Sequence, residues 1–181
     1  DTDEARVNGT SPATLTFTTG TWNIAQPVTV TGVDDDIDDG DQNTTITIAV
    51  DDASSDNVFD GLADQAVTAT TADDDEAGFA VSQSDGSTLV TEAGSTDTFD
   101  VVLTTEPTSD VVVTVTSSDT DEARVNGTSP ATLTFTDGTW NIAQPVTVTG
   151  VDDDIDDGDQ DTTITIAVDD DNSDNAFDGL A

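Results

Sequence analysis

The sequence predicts an all-β protein built from antiparallel β-sandwich modules. Short segments alternate apolar residues with Thr or another polar residue, which is the pattern of strands with one face in a core and one in water. Turns rich in Gly, Asp and Asn separate these segments, and no segment has helical periodicity. Seven or so short strands per module are typical of an antiparallel sandwich.

The strands of one module can be assigned in order along the second half of the chain. They are DTFDVVL (97–103), DVVVTVT (110–116), ATLTFT (131–136), QPVTVTGV (144–151) and TTITIAV (162–168). A weaker strand, QAVTATT, lies at 65–71. The alternation predicts these core residues: Phe99, Val101, Leu103, Val111, Val113, Val115, Leu133, Phe135, Val146, Val148, Ile164, Ile166 and Val168. The pairs Asn8-Gly9 and Asn126-Gly127 predict tight turns.

The chain contains an internal repeat. Residues 1–63 align without a gap with residues 119–181, a period of 118, and only five positions differ. The first copy has Thr19, Asn43, Ala53, Ser54 and Val58 where the second has Asp137, Asp161, Asp171, Asn172 and Ala176. A period of this length suits an autonomous domain rather than a solenoid unit. We therefore interpret 1–75 as the C-terminal part of one module and 76–181 as a second module lacking its last strand, both cut from a longer tandem array.

The charge balance excludes several classes of partner. Forty residues are acidic and only Arg6 and Arg124 are basic, giving a net charge of −38. Nucleic acid and anionic membrane surfaces attract Lys and Arg, so neither is expected as a partner, and no run is apolar enough for membrane insertion. Without His, Cys or Lys, and without a large cleft implied by so small a module, we expect no enzyme activity.

The acidic residues are concentrated just beyond strand ends. One module has four such clusters: Glu92, then Asp119 and Asp121, then the run 152–159, and a closing triplet at 73–75. Alternate connections of an antiparallel sandwich lie at the same end, so we expect the clusters to converge. Close carboxylate pairs repel by about 1 kcal/mol in water and by more at lower dielectric, and the sequence supplies almost no Lys or Arg to compensate. Ca²⁺, which takes six to eight oxygen ligands in flexible geometry, fits this composition better than Mg²⁺ or Zn²⁺. The run is no EF-hand, because Gly158 is at the seventh position, Thr163 is at the twelfth, and flanking helices are missing.

At this point the chain resembles a known family. The segments VTEAGSTDTFDVVLTTEPTSDVVVTVTSSDTDEARV, LTFTDGTWNIAQPVTVTGVDDDIDDGD and TADDD are similar to the Calx-beta domain, and more closely to the calcium-dependent tandem modules of giant bacterial adhesins. The resemblance implies an immunoglobulin-like β-sandwich that binds several calcium ions at one tip. In one respect the chain departs from that pattern: no single module in it shows all four acidic clusters.

The resemblance also implies a set of calcium ligands. In the second copy they are Glu92, Asp119, Asp121, Asp152, Asp153, Asp154, Asp156 and Asp159. The equivalent ligands of the first copy are Asp1, Asp3, Asp34, Asp35, Asp36, Asp38 and Asp41, with the closing triplet Asp73, Asp74 and Asp75. Asp39 and Asp157 are expected to point outward. In the loop 169–179, Asp170, Asn172 and Asp174 could bind a further ion, but a turn-rich loop is the preferred interpretation.

These features predict a calcium-stabilised structural repeat in a long extracellular stalk or fibre on a bacterial cell surface. Its partners are neighbouring repeats of the same chain and, in a fibre, identical chains. Two alternatives remain open. One is a module that binds carbohydrate or protein, with Trp22 and Trp140 as sugar platforms rather than core residues. The other is a surface-layer or filament protein of a salty habitat, whose acids are solvated and bind no specific calcium.

Overall fold

The computed structural model describes residues 3–181, whose regular secondary structure is almost entirely antiparallel β-strand. The all-β prediction is therefore confirmed. The chain divides into two compact units. The first comprises residues up to Asp35 together with Asp39–Asp74, and the second comprises Asp36–Asp38 together with Asp75–Ala181. Across residues 3–181, no helix is both long and apolar enough to cross a membrane.

The first unit contains two separate pairs of strands. They are β1 (Ala5–Val7) with β2 (Val30–Gly32), and β3 (Gln42–Ile48) with β4 (Gln65–Thr71). The second pair is in register over its whole length, from Gln42 opposite Thr71 to Ile48 opposite Gln65. The weak strand predicted at 65–71 is thus confirmed, with the same bounds.

The second unit contains two larger sheets. Its strands are β5 (Phe79–Gln83), β6 (Thr96–Leu103), β7 (Val111–Ser117), β8 (Ala123–Val125), β9 (Ala131–Phe135), β10 (Gln144–Gly150) and β11 (Ile164–Val168). One sheet has the order β5-β6-β10-β8, and the other has the order β11-β7-β9. Three short 3₁₀ turns, at Ser84–Gly86, Asp170–Asn172 and Asn175–Phe177, are the helical segments of the described chain.

One hydrophobic core in the second unit takes side chains from both of these sheets. Alternate residues of β6, β7, β9 and β10 are buried, as the period of two requires. Of the predicted core residues, all are buried except Ile164 and Ile166, which are partly buried and pack against the same core. Trp140 also packs against this core, whereas Trp22, its counterpart in the first copy, is 71% exposed.

The turns and the short strands test the finer predictions. Asn8 and Asn126 have positive φ, and each Asn-Gly pair joins residues that form an antiparallel bridge, Val7 with Thr10 and Val125 with Thr128. The turn prediction is therefore confirmed. Three strands were missed: β5, β8, and β1, which is the counterpart of β8 in the first copy. In the first copy, the ATLTFT segment at 13–18 forms no strand.

Candidate metal centre

The acidic loop of each copy begins beside a glutamate. Strand β10 ends at Gly150, and the next amide, Val151 N, donates to the carbonyl of Glu122 at 2.9 Å. In the first copy Val33 N donates to the carbonyl of Glu4 over the same distance. The start of the run of aspartates is therefore fixed next to a further carboxylate in both copies.

A close backbone approach brings a second segment to this place in the second unit. A Cβ at Gly150 would lie only 2.1 Å from the carbonyl oxygen of Thr91, so a side chain cannot be accommodated there. Glycine at the end of β10 lets the strand pass directly beside Thr91, and Thr91 precedes Glu92 in the chain. The local sequence thus brings Glu92 close to the loop that follows β10.

The electrostatics of Glu122 show which predicted ligands come together. Partial burial raises the pKa of the Glu122 carboxyl, and the negative charges of neighbouring carboxylates raise it further. In decreasing order of effect, these neighbours are Asp157, Asp119, Asp153 and Glu92. Carboxylates from three of the four predicted clusters are therefore near enough to Glu122 to raise its pKa. Sequence reasoning missed Glu122. Asp157, which was expected to point outward, is exposed, and among the four carboxylates it has the largest effect on the pKa of Glu122.

The first copy repeats the arrangement. Partial burial raises the pKa of the Glu4 carboxyl, and the negative charges of Asp39, Asp35 and Asp3 raise it further, in that order of decreasing effect. Glu4, Asp35 and Asp39 are the counterparts of Glu122, Asp153 and Asp157. Asp1, which was also predicted as a ligand, lies outside the described residues.

The closing triplet makes direct contact with the acidic loop of its own copy. Gly40 N donates to Asp73 Oδ2 at 2.6 Å, and Asp73 N donates to Asp41 Oδ1 at 3.1 Å. Two residues before Asp73, at the end of β4, the Thr71 hydroxyl donates to the carbonyl of Glu4 at 2.8 Å. Strand β4 therefore delivers Asp73 to the loop that begins at Glu4. Gly40 has a φ of +75°, a conformation that few other residues adopt without strain, so the turn within the loop depends on it.

Two aspartates of the first acidic loop belong to the second unit. There Ala77 N donates to Asp38 Oδ2 at 2.8 Å, and Glu106 N donates to the carbonyl of Asp36 at 2.7 Å. Asp38 thus accepts a backbone hydrogen bond through its carboxylate, whereas Asp36 is bound through its main chain.

The other predicted ligands are less closely associated. Asp156 and Asp159 line the same cleft as Glu92 and Glu122. Asp75 is half-buried in the second unit. Asp156 and Asp159 are exposed, as are five more: Asp34, Asp74, Asp121, Asp152 and Asp154.

The donor set consists of oxygen atoms alone, because the chain has no His or Cys. This chemistry fits Ca²⁺ and does not fit Zn²⁺. Within residues 3–181, no three carboxylates are arranged closely enough to surround a single ion. The carboxylates are thus close enough to influence each other's pKa, but they are not in coordination geometry.

The second acidic loop is closed by its own hydrogen bonds. Asp174 is buried and accepts from Thr108 N at 2.6 Å, Thr108 Oγ1 at 2.7 Å, Ser109 N at 3.0 Å and Ala176 N at 3.1 Å. Burial raises the pKa of Asp174, but these hydrogen bonds outweigh it and the net pKa is lowered. Asp170 Oδ1 accepts from Gly179 N at 2.9 Å. The preferred interpretation of this loop as a set of turns agrees with these contacts and with its two 3₁₀ turns.

Comparison of the chain with protein-family models, curated proteins and solved structures finds no match.

Proposed function

We propose that each module is a calcium-stabilised β-sandwich of the Calx-beta type, and that tandem copies form a long extracellular stalk. Calcium would bind at the acidic loop after β10 and at its counterpart in the first copy. The role is structural, and the partners are neighbouring repeats.

The observation that carries the proposal is the convergence of carboxylates on Glu122, with the same convergence on Glu4. Both glutamates have raised pKa values caused in part by surrounding aspartates. Solvated surface charges that serve only solubility would gain nothing from such clustering. A divalent cation would turn this repulsion into attraction.

A cation at this position would join segments that are distant in sequence. In the second unit the converging carboxylates come from three segments, at Glu92, at 119–122 and at 153–157. An ion that binds the folded arrangement but not the unfolded chain stabilises the fold, by about 2.7 kcal/mol per site at 100 times its Kd. For extracellular modules the Kd is typically about 10⁻⁴ to 10⁻³ M.

The stalk follows from the closing triplet and from the near-identity of the copies. Asp73 already contacts the acidic loop through Gly40 and Asp41, so a calcium ion there would hold the segment that leaves the module. Nearly identical copies suit a spacer, whereas a ligand-binding tip is usually a unique module.

A melting experiment on the 181-residue chain tests the calcium site. We expect calcium to raise the Tm markedly above its value in chelator, and sodium chloride at equal ionic strength to have a much smaller effect. If the sodium salt raises the Tm as much as calcium does, the acids are a general adaptation to salt and the proposal is wrong.

Small-angle scattering tests the stalk separately, on a chain of two complete modules. Calcium should lengthen the particle and narrow its distribution of end-to-end distances. Identical dimensions in calcium and in chelator would leave the ion a role in folding only.

A further inference from the structure

A tripeptide of the first acidic loop, the Asp-Ile-Asp segment at 36–38, is part of the second compact unit. Two hydrogen bonds hold it there. Glu106 N donates to the carbonyl of Asp36 at 2.7 Å, and Ala77 N donates to Asp38 Oδ2 at 2.8 Å. Because the bonds reach the first and the last residue of the segment, all three of its residues are held at one place on the unit.

The pairing of β5 with β6 brings the two donor amides together. Just beyond the last residues of this strand pair, Thr104 N donates to the carbonyl of Gly78 at 2.9 Å. The antiparallel register then places Ala77 opposite the residue that precedes Glu106. The Thr104 hydroxyl also donates to the carbonyl of Glu76 at 3.1 Å. The unit therefore presents two backbone donors at one end of this strand pair, on segments that its own hydrogen bonds already fix.

The burial of this tripeptide differs between the two copies. The acidic loops of the two copies are identical in sequence. In the first loop Ile37 and Asp38 are partly buried, whereas in the second loop Ile155 is 65% exposed and Asp156 is exposed. The loop sequence alone therefore does not bury the isoleucine. Its burial in the first copy accompanies the two hydrogen bonds to the second unit.

We propose that the Asp-Ile-Asp tripeptide of each acidic loop is a docking segment for the next repeat of the array. The partner is a copy of the same module, which receives the segment at the amides equivalent to Ala77 and Glu106. The contact consists of backbone amides, one carbonyl of the segment and one of its carboxylates, so it needs no cation. This goes beyond the proposed function, in which calcium holds the segment that leaves the module.

Backbone amides are the donors that suit a partner of this charge. The docking segment brings two carboxylates to a chain with a net charge of −38, in which only Arg6 and Arg124 are basic. The amides of Ala77 and Glu106 supply hydrogen-bond donors without a positive side chain. A bond from an amide to an ionised carboxylate such as that of Asp38 is roughly twice as strong as one between neutral groups. The contact can therefore form between modules whose net charges repel each other.

Amide hydrogen exchange, followed by nuclear magnetic resonance on the whole 181-residue chain in chelator, tests the docking. Ile37→Asp should speed exchange of the Ala77 and Glu106 amides by about tenfold or more, because a charged side chain favours water over the partly buried position. Ile155→Asp, the same change at the exposed counterpart, should leave both rates within about twofold. Core amides of β6 and β10 are the reference, and their unchanged rates show that the unit itself remains folded.

Two variants of Asp38 test the hydrogen bond itself. Asp38→Ala removes the acceptor and should speed exchange of the Ala77 amide by about tenfold or more. Asp38→Asn keeps an acceptor oxygen without the charge, and should speed that exchange by only about threefold. Equal rates in the alanine variant and in the unchanged chain would mean that the carboxylate does not hold the segment.

The proposal is wrong if Ile37→Asp and Ile155→Asp leave the Ala77 and Glu106 amides equally protected. It is also wrong if these two amides are protected only when calcium is present, because the contact would then depend on the metal site. Protection in chelator, together with a calcium melting experiment that shows no specific effect, would support the docking segment and count against the proposed function. The two proposals therefore fail on different measurements.

Discussion

The two copies have nearly the same sequence but very different burial. Phe135 is fully buried, whereas its counterpart Phe17 is 53% exposed, and Val146 is fully buried while Val28 is 43% exposed. The five differing positions include none of these residues. The difference therefore comes from what packs against each copy and not from its own residues.

The strands that make this difference are β6 and β7. In the second unit β7 pairs with β9, with Val113 opposite Leu133, and β6 pairs with β10, with Phe99 opposite Val146. Among the described strands of the first unit, none takes either of these two places. The segment 13–18 consequently remains irregular although its sequence is that of β9. Alternation gives a segment the capacity to form a strand, and the neighbouring strand decides whether it does.

The largest expected difference in the free energy of unfolding between the two copies is at the fully buried Phe135. Phe135→Ala should destabilise the second unit by about 3–5 kcal/mol, because it removes a large side chain from a packed core. Phe17→Ala, the same change in the first copy, should cost under about 0.5 kcal/mol. Denaturant unfolding followed by far-ultraviolet circular dichroism measures both variants, and the fluorescence of Trp140 in a Trp22→Phe background reports the second unit alone. Equal losses at the two positions would contradict the assignment of the core to β6 and β7.

A smaller effect is expected at Asp174. Asp174→Asn should cost about 1.5–3 kcal/mol at pH 7, since the carboxylate accepts hydrogen bonds from Thr108 and Ser109. The pKa of Asp174 is lowered in the folded state from the ordinary value of 3.8. Its contribution is therefore fully present above that value and is lost as the pH falls through the lower folded pKa.

The matched control for Asp174 is Asp56, which is exposed and accepts from Val58 N at 3.0 Å. Asp56→Asn should change the free energy of unfolding by less than about 0.5 kcal/mol. Unfolding curves at pH 7 and at pH 3 for both variants check the difference. If Asp174→Asn destabilises the protein as much at pH 3 as at pH 7, the destabilisation comes from the changed hydrogen-bonding and packing of the side chain and not from the loss of its charge.

The smallest expected effect is a change in Tm caused by substitution of Glu122 in the carboxylate cluster. In chelator at pH 7, Glu122→Gln should raise the Tm slightly, because it removes a charge that its neighbours repel. A raised folded pKa disfavours the charged form, so this penalty is present above the folded pKa and absent below the unfolded value. The same variant should lose much of the Tm gain on adding calcium.

The control for Glu122 is Asp137→Thr, which introduces the residue of the first copy at an exposed position. It should leave both the chelator Tm and the calcium response unchanged. A fall in Tm for Glu122→Gln in chelator would indicate that the glutamate has a stabilising partner of its own.

Sequence alternation was sufficient to predict the core of the second unit, because residues such as Val111 and Phe99 lie at strict spacings of two within strong strand formers. It could not predict the exposure of Phe17, because that depends on strands far away in the sequence. Strand β8 was missed because three residues are too few to show a period. Glu122 was missed with it, since it directly precedes β8. The signal that could have found Glu122 was its recurrence as Glu4 beside the same acidic pair, in both copies.

The pairing of β3 with β4 has a consequence for how such an array folds. In the sequence, strand β4 lies between two segments with which it could pair as an acceptor strand. The segment 42–48 precedes it, the segment 160–166 follows it, and the two have almost the same sequence. The connection to the first spans 49–64, whereas the path to the second spans 72–159, which is about five times as long. The loop-closure entropy therefore favours the nearer acceptor by about 1.5 kcal/mol, roughly a tenfold preference. During synthesis the nearer acceptor also leaves the ribosome first, so chain order and entropy both favour the hairpin over misassembly between repeats.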